Sequence, residues 1–266
     1  MRVAPALPAA TLVLIRDGNE GLEVLMLRRH ADTVFSGALV FPGGGVDAAD
    51  RGAALAAPGR ANPGLDGDAL AFRLAALRES YEEAHLLLAR RAGQVELVSA
   101  TALRGLESES GSPPHFADLV AAGAIEPAID LLVPFARWVT PERSPRRYDA
   151  RFFLARAPAD QVARPDGREA VAALWLTPEA AIAAADARRE RLVFATRMNL
   201  LRLAKSRDVA TALAAAAACA GRIVAITPEF YEAPSGLRIR IPPGLGRDLD
   251  YDDCDLPAAD PAARAR

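Results

Sequence analysis

The chain has 266 residues, 51% of them hydrophobic, enough for one large or two small domains with a well-buried core. Its 32 basic and 34 acidic side chains leave a net charge of −2, so no global field draws it to nucleic acid and a duplex-DNA binder is disfavoured. The 19 glycines and 20 prolines fall short of a low-complexity composition. The two cysteines, Cys219 and Cys254, lie far apart without a CxxC partner, which leaves neither a thiolate zinc site nor a disulfide framework.

In chain order, residues 11–15 and 22–28 are β-rich runs joined by Asp17-Gly18-Asn19-Glu20-Gly21, a linker that closes a hairpin. The apolar stretch before them contains Pro5 and Pro8 and reads as the approach to a strand rather than a leader segment. Residues 38–41 form another short strand ending in Pro42-Gly43-Gly44-Gly45, where the missing β-carbons permit tight turning or close approach to a ligand. Residues 50–67, rich in Ala, Gly and Pro, read as an excursion. Asp68 then caps a helix from about Ala69 through Leu88, with Gly93 as its outer limit.

A polar break at 105–114 is a surface loop, and residues 115–122 with Gly123 form a short capped helix. Strand-like runs follow at 131–139, 151–155 and 170–176. Thr177-Pro178-Glu179 starts the first of three helices, 179–189, 196–205 and 208–220, before a proline-rich tail. Mixed strands and helices imply an α/β or α+β layered domain. The longest apolar candidate for a membrane span, 209–221, is short and mostly alanine, so the expectation is a soluble, cytoplasmic protein with no membrane partner.

The segment richest in chemistry is Arg78-Glu79-Ser80-Tyr81-Glu82-Glu83-Ala84-His85-Leu86. Glu79, Glu82 and Glu83 are spaced i, i+3 and i+4, so a helix sets all three carboxylates on one face. Crowded like charges repel, but a divalent cation turns the same arrangement into a set of hard oxygen ligands. Arg78, four residues before Glu82, is placed to hold one carboxylate. A solvated charged face is the plain alternative, and the glycine loop upstream favours the ligand set.

Together these residues resemble the box of the Nudix hydrolase family, G-x5-E-x7-R-E-U-x-E-E-x-G-U, where U is aliphatic. Gly44 takes the first glycine and Asp50 the first glutamate, while Arg78, Glu79, Glu82 and Glu83 match the charged core and Leu86 the last aliphatic. The sequence departs from the box at Ser80 and His85, and by an insertion of about 51–70 between Asp50 and Arg78. An insertion at this place resembles the coenzyme A diphosphatase-like branch, which includes peroxisomal members. So do Leu25-Met26-Leu27-Arg28-Arg29, Trp138-Val139-Thr140-Pro141, Arg147-Tyr148-Asp149 and Phe152-Phe153-Leu154-Ala155.

The resemblance implies an α/β/α sandwich with a mixed sheet over 9–205, followed by a helix and tail at 206–266 packed on the same domain. It implies Mg²⁺ or Mn²⁺ as cofactor, held by Glu79, Glu82, Glu83 and the Gly44 carbonyl, with Arg78 orienting a glutamate. The general base is Glu169 or a glutamate of the box; an ion pair of Glu169 with Arg168 or Arg164 is the alternative for that residue. Substrate contacts fall to Arg28, Arg29, Phe41 and Arg147, while Trp138 and Phe153 read as core. Arg28, Gly37 and Phe41-Pro42-Gly43-Gly44 fit a coenzyme A signature in related enzymes that expects arginine where this chain has Thr33.

The implied substrate is a nucleoside diphosphate linked to another group, with coenzyme A or its acyl derivative leading. ADP-ribose and NADH-type dinucleotides are the nearest alternatives on the same site. A binding module without turnover is the alternative of a different class, and a homodimer is compatible with either.

Overall fold

The computed structural model describes residues 4–30, 36–56, 65–106, 114–245 and 255–257. The first strand, β1 (Ala6–Gly18), has a continuous buried run at Leu12, Val13, Leu14 and Ile15. Alternation sends Leu12 and Leu14 to one side of the sheet and Val13 and Ile15 to the other. A strand dry on both sides belongs at the centre of a sheet covered by helices twice over. Strand β2 (Gly21–Arg29) returns antiparallel through the predicted hairpin, with Leu25 and Leu27 on the first side and Val24 and Met26 on the second.

Strand β3 (Ala38–Val40) pairs with β2. The glycine run forms its own strand, β4 (Gly43–Gly45), antiparallel to β1 at Ala9, Ala10 and Thr11. A β-carbon on Gly43 would lie 2.7 Å from the Ala10 carbonyl oxygen, so the approach of β4 to β1 requires glycine there. Next come α1 (Ala48–Ala56), α2 (Gly67–Ala84), β5 (Ala89–Arg90), α3 (Ala100–Leu106), α4 (Phe116–Ala121) and β6 (Glu126–Pro127). Strands β7 (Val133–Val139), β8 (Arg147–Arg156) and β9 (Ala170–Leu176) lead to α5 (Pro178–Asp186), β10 (Arg191–Leu192), α6 (Phe194–Leu203), α7 (Val209–Cys219) and β11 (Ala225–Ile226).

The main sheet runs β10-β3-β2-β1-β8-β7-β11, with β4 added on β1 and β9 on β2. It is mixed: β1 and β8 are parallel from Ala6↔Arg147 to Ile15↔Arg156, whereas β1–β2, β2–β9 and β7–β8 are antiparallel. One core, with Leu12, Leu14, Leu25 and Leu27, packs under α2 and reaches Leu103 of α3 and Leu119 of α4. The other, with Val13, Ile15, Val24 and Met26, packs under Ala181 of α5, Met198 of α6 and Val209 and Ala212 of α7. The expected α/β/α sandwich with a mixed sheet is the observed architecture.

Three local expectations need correction. Helix α2 starts at Gly67 behind Asp66, whose carboxylate accepts from the Ala69 N–H at 2.7 Å, and ends at Ala84 rather than Leu88. His85 stops it with φ 55° and ψ 32°, a left-handed conformation that histidine tolerates better than most residues. The stretch after Asp50 does not begin as irregular chain. Asp47 and Asp50 exchange backbone N–H to carboxylate bonds, both 2.9 Å, and this reciprocal cap launches α1.

The tail is not merely proline-rich: β12 (Glu229–Ala233), β13 (Gly236–Arg240) and β14 (Asp255–Pro257) form a second antiparallel sheet. Its alternation of Phe230, Leu237 and Ile239 with charged residues is the period-two signal, with Gly236 at φ 108° turning the hairpin. Residues 57–64 of the insertion, Thr33, the polar run at 107–112 and Cys254 lie outside the described residues.

Candidate active site

Helix α2 is buried around most of its circumference, because β1, α1, α4 and β4 all pack on it. Charged side chains on such a helix need partners within the protein. Arg78, 8% exposed, has them: its Nε donates to Asp50 Oδ1 at 2.9 Å, and its Nη2 to Asp50 Oδ2 at 3.0 Å and to the Gly45 carbonyl at 2.8 Å. Its Nη1 donates at 2.9 Å to Glu79 Oε1 and at 2.9 Å to Glu82 Oε2. All five N–H donors of the guanidinium are thereby engaged. Burial opposes its charge, but Asp50, Glu79 and Glu82 outweigh that and hold the guanidinium pKa above its ordinary value.

Glu83 turns toward the glycine strand, where the Gly43 N–H donates to its Oε2 at 2.9 Å. Gly44 lies against the Glu79 carboxylate, and a β-carbon there would overlap it, so the carboxylate keeps its present position only beside a glycine. Burial, only partly offset by Arg78, pushes the Glu79 pKa up to about 7, with repulsion from Glu82 and Glu169 adding to it. Burial likewise pushes Glu83 up to about 8, against the Gly43 N–H and Arg29, with Glu79 and Glu169 repelling. Both are carboxylates held with less positive charge around them than their ionised forms need.

The sheet contributes the other half. Arg29 follows Leu25 and Leu27 on the α2 side of β2; its Nη2 donates to Glu169 Oε2 at 3.0 Å, and its Nη1 lies 3.7 Å from Glu83 Oε1. Glu169, just before β9, is fixed by the His30 N–H donating to its carbonyl at 2.7 Å, while its side chain stays 59% exposed. The structure thus brings Arg78, Glu79, Glu82, Glu83, Gly44, Arg29 and Glu169 to one place. The partner of Glu169 is Arg29 rather than Arg168 or Arg164.

Other expected residues lie elsewhere. Arg28, one position along β2, pairs with Glu190 between α5 and β10. Phe41 is 3% exposed and meets Phe152 edge-on at 6.4 Å in the core under α5 to α7, because its alternation sends it inward rather than toward a ligand. Arg147 donates to the Thr140 and Ala4 carbonyls at 3.0 and 2.8 Å and ties down the start of β1. Trp138 and Phe153 are core, as expected.

Among the described residues no three acidic, imidazole or thiol groups form a ready-made cation cage; Arg78 holds one oxygen each of Glu79 and Glu82, and the Gly43 N–H holds one of Glu83. The donor set nevertheless suits a divalent ion. It is made of hard carboxylate oxygens, two of them on buried groups whose ionisation is opposed, beside a glycine strand that lets an oxygen ligand approach. Sequence reasoning missed Asp47, whose Asp-x-x-Asp spacing is a capping signature. It also missed the Asp166-Gly167 turn, which holds the Glu169 and Ala170 N–H groups at 3.1 and 2.8 Å.

A family model described as the NUDT19 Nudix domain matches residues 59–202. The chain belongs to the Nudix hydrolase family. Among Nudix relatives, the human acyl-coenzyme A diphosphatase NUDT19 is 30% identical over 206 residues, 61% of this chain and 55% of that protein. The chain therefore spans about half the length of this curated relative. The crystal structure of a Nudix hydrolase from Alicyclobacillus acidocaldarius superimposes with a TM-score of 0.68 at 29% identity, covering 80% of this chain and 97% of that one. Among the described residues no helix is long and apolar enough to cross a membrane.

Proposed function

We propose that this Nudix protein hydrolyses the diphosphate bond of a nucleoside diphosphate joined to another group, with coenzyme A or an acyl-coenzyme A as leading substrate and Mg²⁺ or Mn²⁺ as cofactor. The observation that carries the reading is the pair of buried carboxylates, Glu79 and Glu83, facing the glycine strand with their pKa values pushed up to about 7 and about 8. Kinship with the human acyl-coenzyme A diphosphatase supports the substrate class.

Glu79, Glu82 and Glu83, with the Gly44 carbonyl, would hold the ion. When bound, it neutralises charge on the diphosphate and polarises a neighbouring water. Arg78 fixes the direction of Glu79 and Glu82 and is itself fixed by Asp50. Glu169, exposed at the rim and oriented by Arg29, accepts the proton of the attacking water at its carboxylate. Arg29, reaching both Glu83 and Glu169, is placed to meet a phosphate oxygen as the negative charge moves onto the departing group.

A screen of coenzyme A, acetyl-coenzyme A, ADP-ribose and NADH with Mg²⁺ and with Mn²⁺, identifying the bond cut, tests the reading. Coenzyme A turnover that falls by at least ~100-fold in Glu83→Gln is expected, the buried group being both ligand and charge source. Brisk ADP-ribose or NADH cleavage without coenzyme A cleavage would move the substrate. Tight nucleotide binding with no product under any metal would make the chain a binding module.

A further inference from the structure

The family glycine that ends the box is His85 here, and its side chain is used. The Arg164 carbonyl 3.1 Å from His85 Nδ1 can only accept, so Nδ1 carries the hydrogen and donates. The Arg164 N–H donates in turn to the Ala84 carbonyl, the last of α2, at 2.9 Å. Arg164 is therefore gripped from both sides of its peptide by two consecutive residues at the end of the carboxylate helix.

The segment so gripped, 157–169, joins β8 to β9 and ends at Glu169. Its earlier part is fixed by Gln161, whose side chain accepts from the Leu87 N–H at 2.8 Å and donates to the Leu87 and Val98 carbonyls at 3.0 and 2.8 Å. Beyond Arg164, Asp166 accepts from the Glu169 and Ala170 N–H groups, and Gly167, at φ 73°, makes the turn between them. Glu169 then meets Arg29, which reaches Glu83, two residues before His85. A closed circuit results: α2 to Arg164, through the Asp166 turn to Glu169, and back through Arg29 to α2.

We propose that His85 is a positioning residue. By holding the Arg164 carbonyl it sets the distance between Glu169 and the glutamates of α2, so the segment from Arg164 to Glu169 is a strap fastened to the end of the helix. The proposal rests on Glu169 being the proton acceptor of the reading above. A glycine at 85 keeps the left-handed turn but has no donor. An asparagine keeps both, because its Nδ2 occupies the position of the imidazole Nδ1 and asparagine is tolerated in that conformation.

Three variants, His85→Gly, His85→Asn and Glu169→Gln, and the double variant His85→Gly/Glu169→Gln decide it. In the metal-free protein, amide hydrogen exchange over 162–170 is expected to quicken in His85→Gly and to return to the native rate in His85→Asn. With coenzyme A and Mg²⁺, kcat falls about tenfold in His85→Gly with KM within about twofold, and His85→Asn recovers it. The double variant is no slower than Glu169→Gln alone, because both changes break the same circuit.

Unchanged exchange in His85→Gly, a kcat within about twofold of native, losses that multiply in the double variant, or full activity in Glu169→Gln would each overturn the proposal. A native chain that cut no diphosphate would remove the functional reading, and the exchange comparison would still decide whether His85 fastens the strap.

Discussion

Arg78 and Asp50 form a buried pair, 8% and 3% exposed, in which the guanidinium is fully occupied and the carboxylate also closes the cap of α1. Removing Asp50 leaves Arg78 its bonds to Glu79, Glu82 and Gly45 but strands its Nε–H and takes the capping acceptor from α1, which together cost about 2–3 kcal/mol. Asp50→Ala is therefore expected to lower stability by that order in urea unfolding, and Asp50→Glu to recover most of it. Arg78→Lys loses the fork that serves Asp50, Glu79 and Glu82 at once, so turnover drops by about 10–100-fold although the charge is kept.

Glu79 and Glu83 give a pH prediction of definite sign. Their folded pKa values, about 7 and about 8, stand above the ordinary 4.5, so between those limits the folded chain binds more protons than the unfolded one. Stability then falls as pH rises, by up to ~1.4 kcal/mol per pH unit for each group. The melting temperature of the metal-free protein should drop by at least about 5 °C from pH 5 to pH 8. Glu79→Gln/Glu83→Gln should flatten the profile, and Mg²⁺ or Mn²⁺ should restore the melting temperature more at pH 8 than at pH 5, where protons compete for the same oxygens. A flat profile in the native protein would show that these carboxylates are ionised without cost.

The carboxylate helix and the glycine strand position each other, and this pairing was partly legible in the chain. The i, i+3, i+4 spacing of Glu79, Glu82 and Glu83 located one face of a helix, and Gly44 announced a close approach; the approach is to Glu79 itself. The link from Glu83 through Arg29 to Glu169 was not legible, because it joins residues far apart in sequence by the register of β2 on β9. Nor was the end of α2: Leu86, Leu87 and Leu88 continue an apolar run that reads as helix, whereas they are buried outside any helix behind the His85 turn. Gly44→Ala tests the contact between the two elements. It should turn the Glu79 carboxylate out of its place on Arg78, lowering turnover by at least ~10-fold with stability changed by less than about 1 kcal/mol, while Gly45→Ala, with open space around it, should leave both near native.

The two faces of the sheet divide the protein by role. The face under α2 carries the glutamates, Arg29 and the glycine strand, while the face under α5, α6 and α7 is apolar and holds the strands in register from behind. That rear layer is completed only by the last quarter of the chain. Val209, Ala212 and Ala216 of α7 are buried against Phe135, Trp138 and Leu154, and Ile226 of β11 is fully buried where that strand pairs with β7. The Asp17 carboxylate at the β1–β2 turn also accepts from the Val209 N–H at 2.8 Å, tying α7 to the hairpin.

Residues 206–241 are thus expected to be part of one cooperative unit with 9–205 rather than an appendage. Ending the chain at 205 should expose the rear of β1, β7 and β8 and abolish a single cooperative melting transition, since Val209, Ile226 and Ile241 at about 1.5–3 kcal/mol each, together with the surface they cover, approach the whole margin of a marginally stable fold. Ending it at 242, after Ile241 has been placed in the rear core, should keep that transition within about 5 °C of native. A protein ending at 205 that melted cooperatively near the native temperature would show that the two-sided sheet closes without α7 and β11.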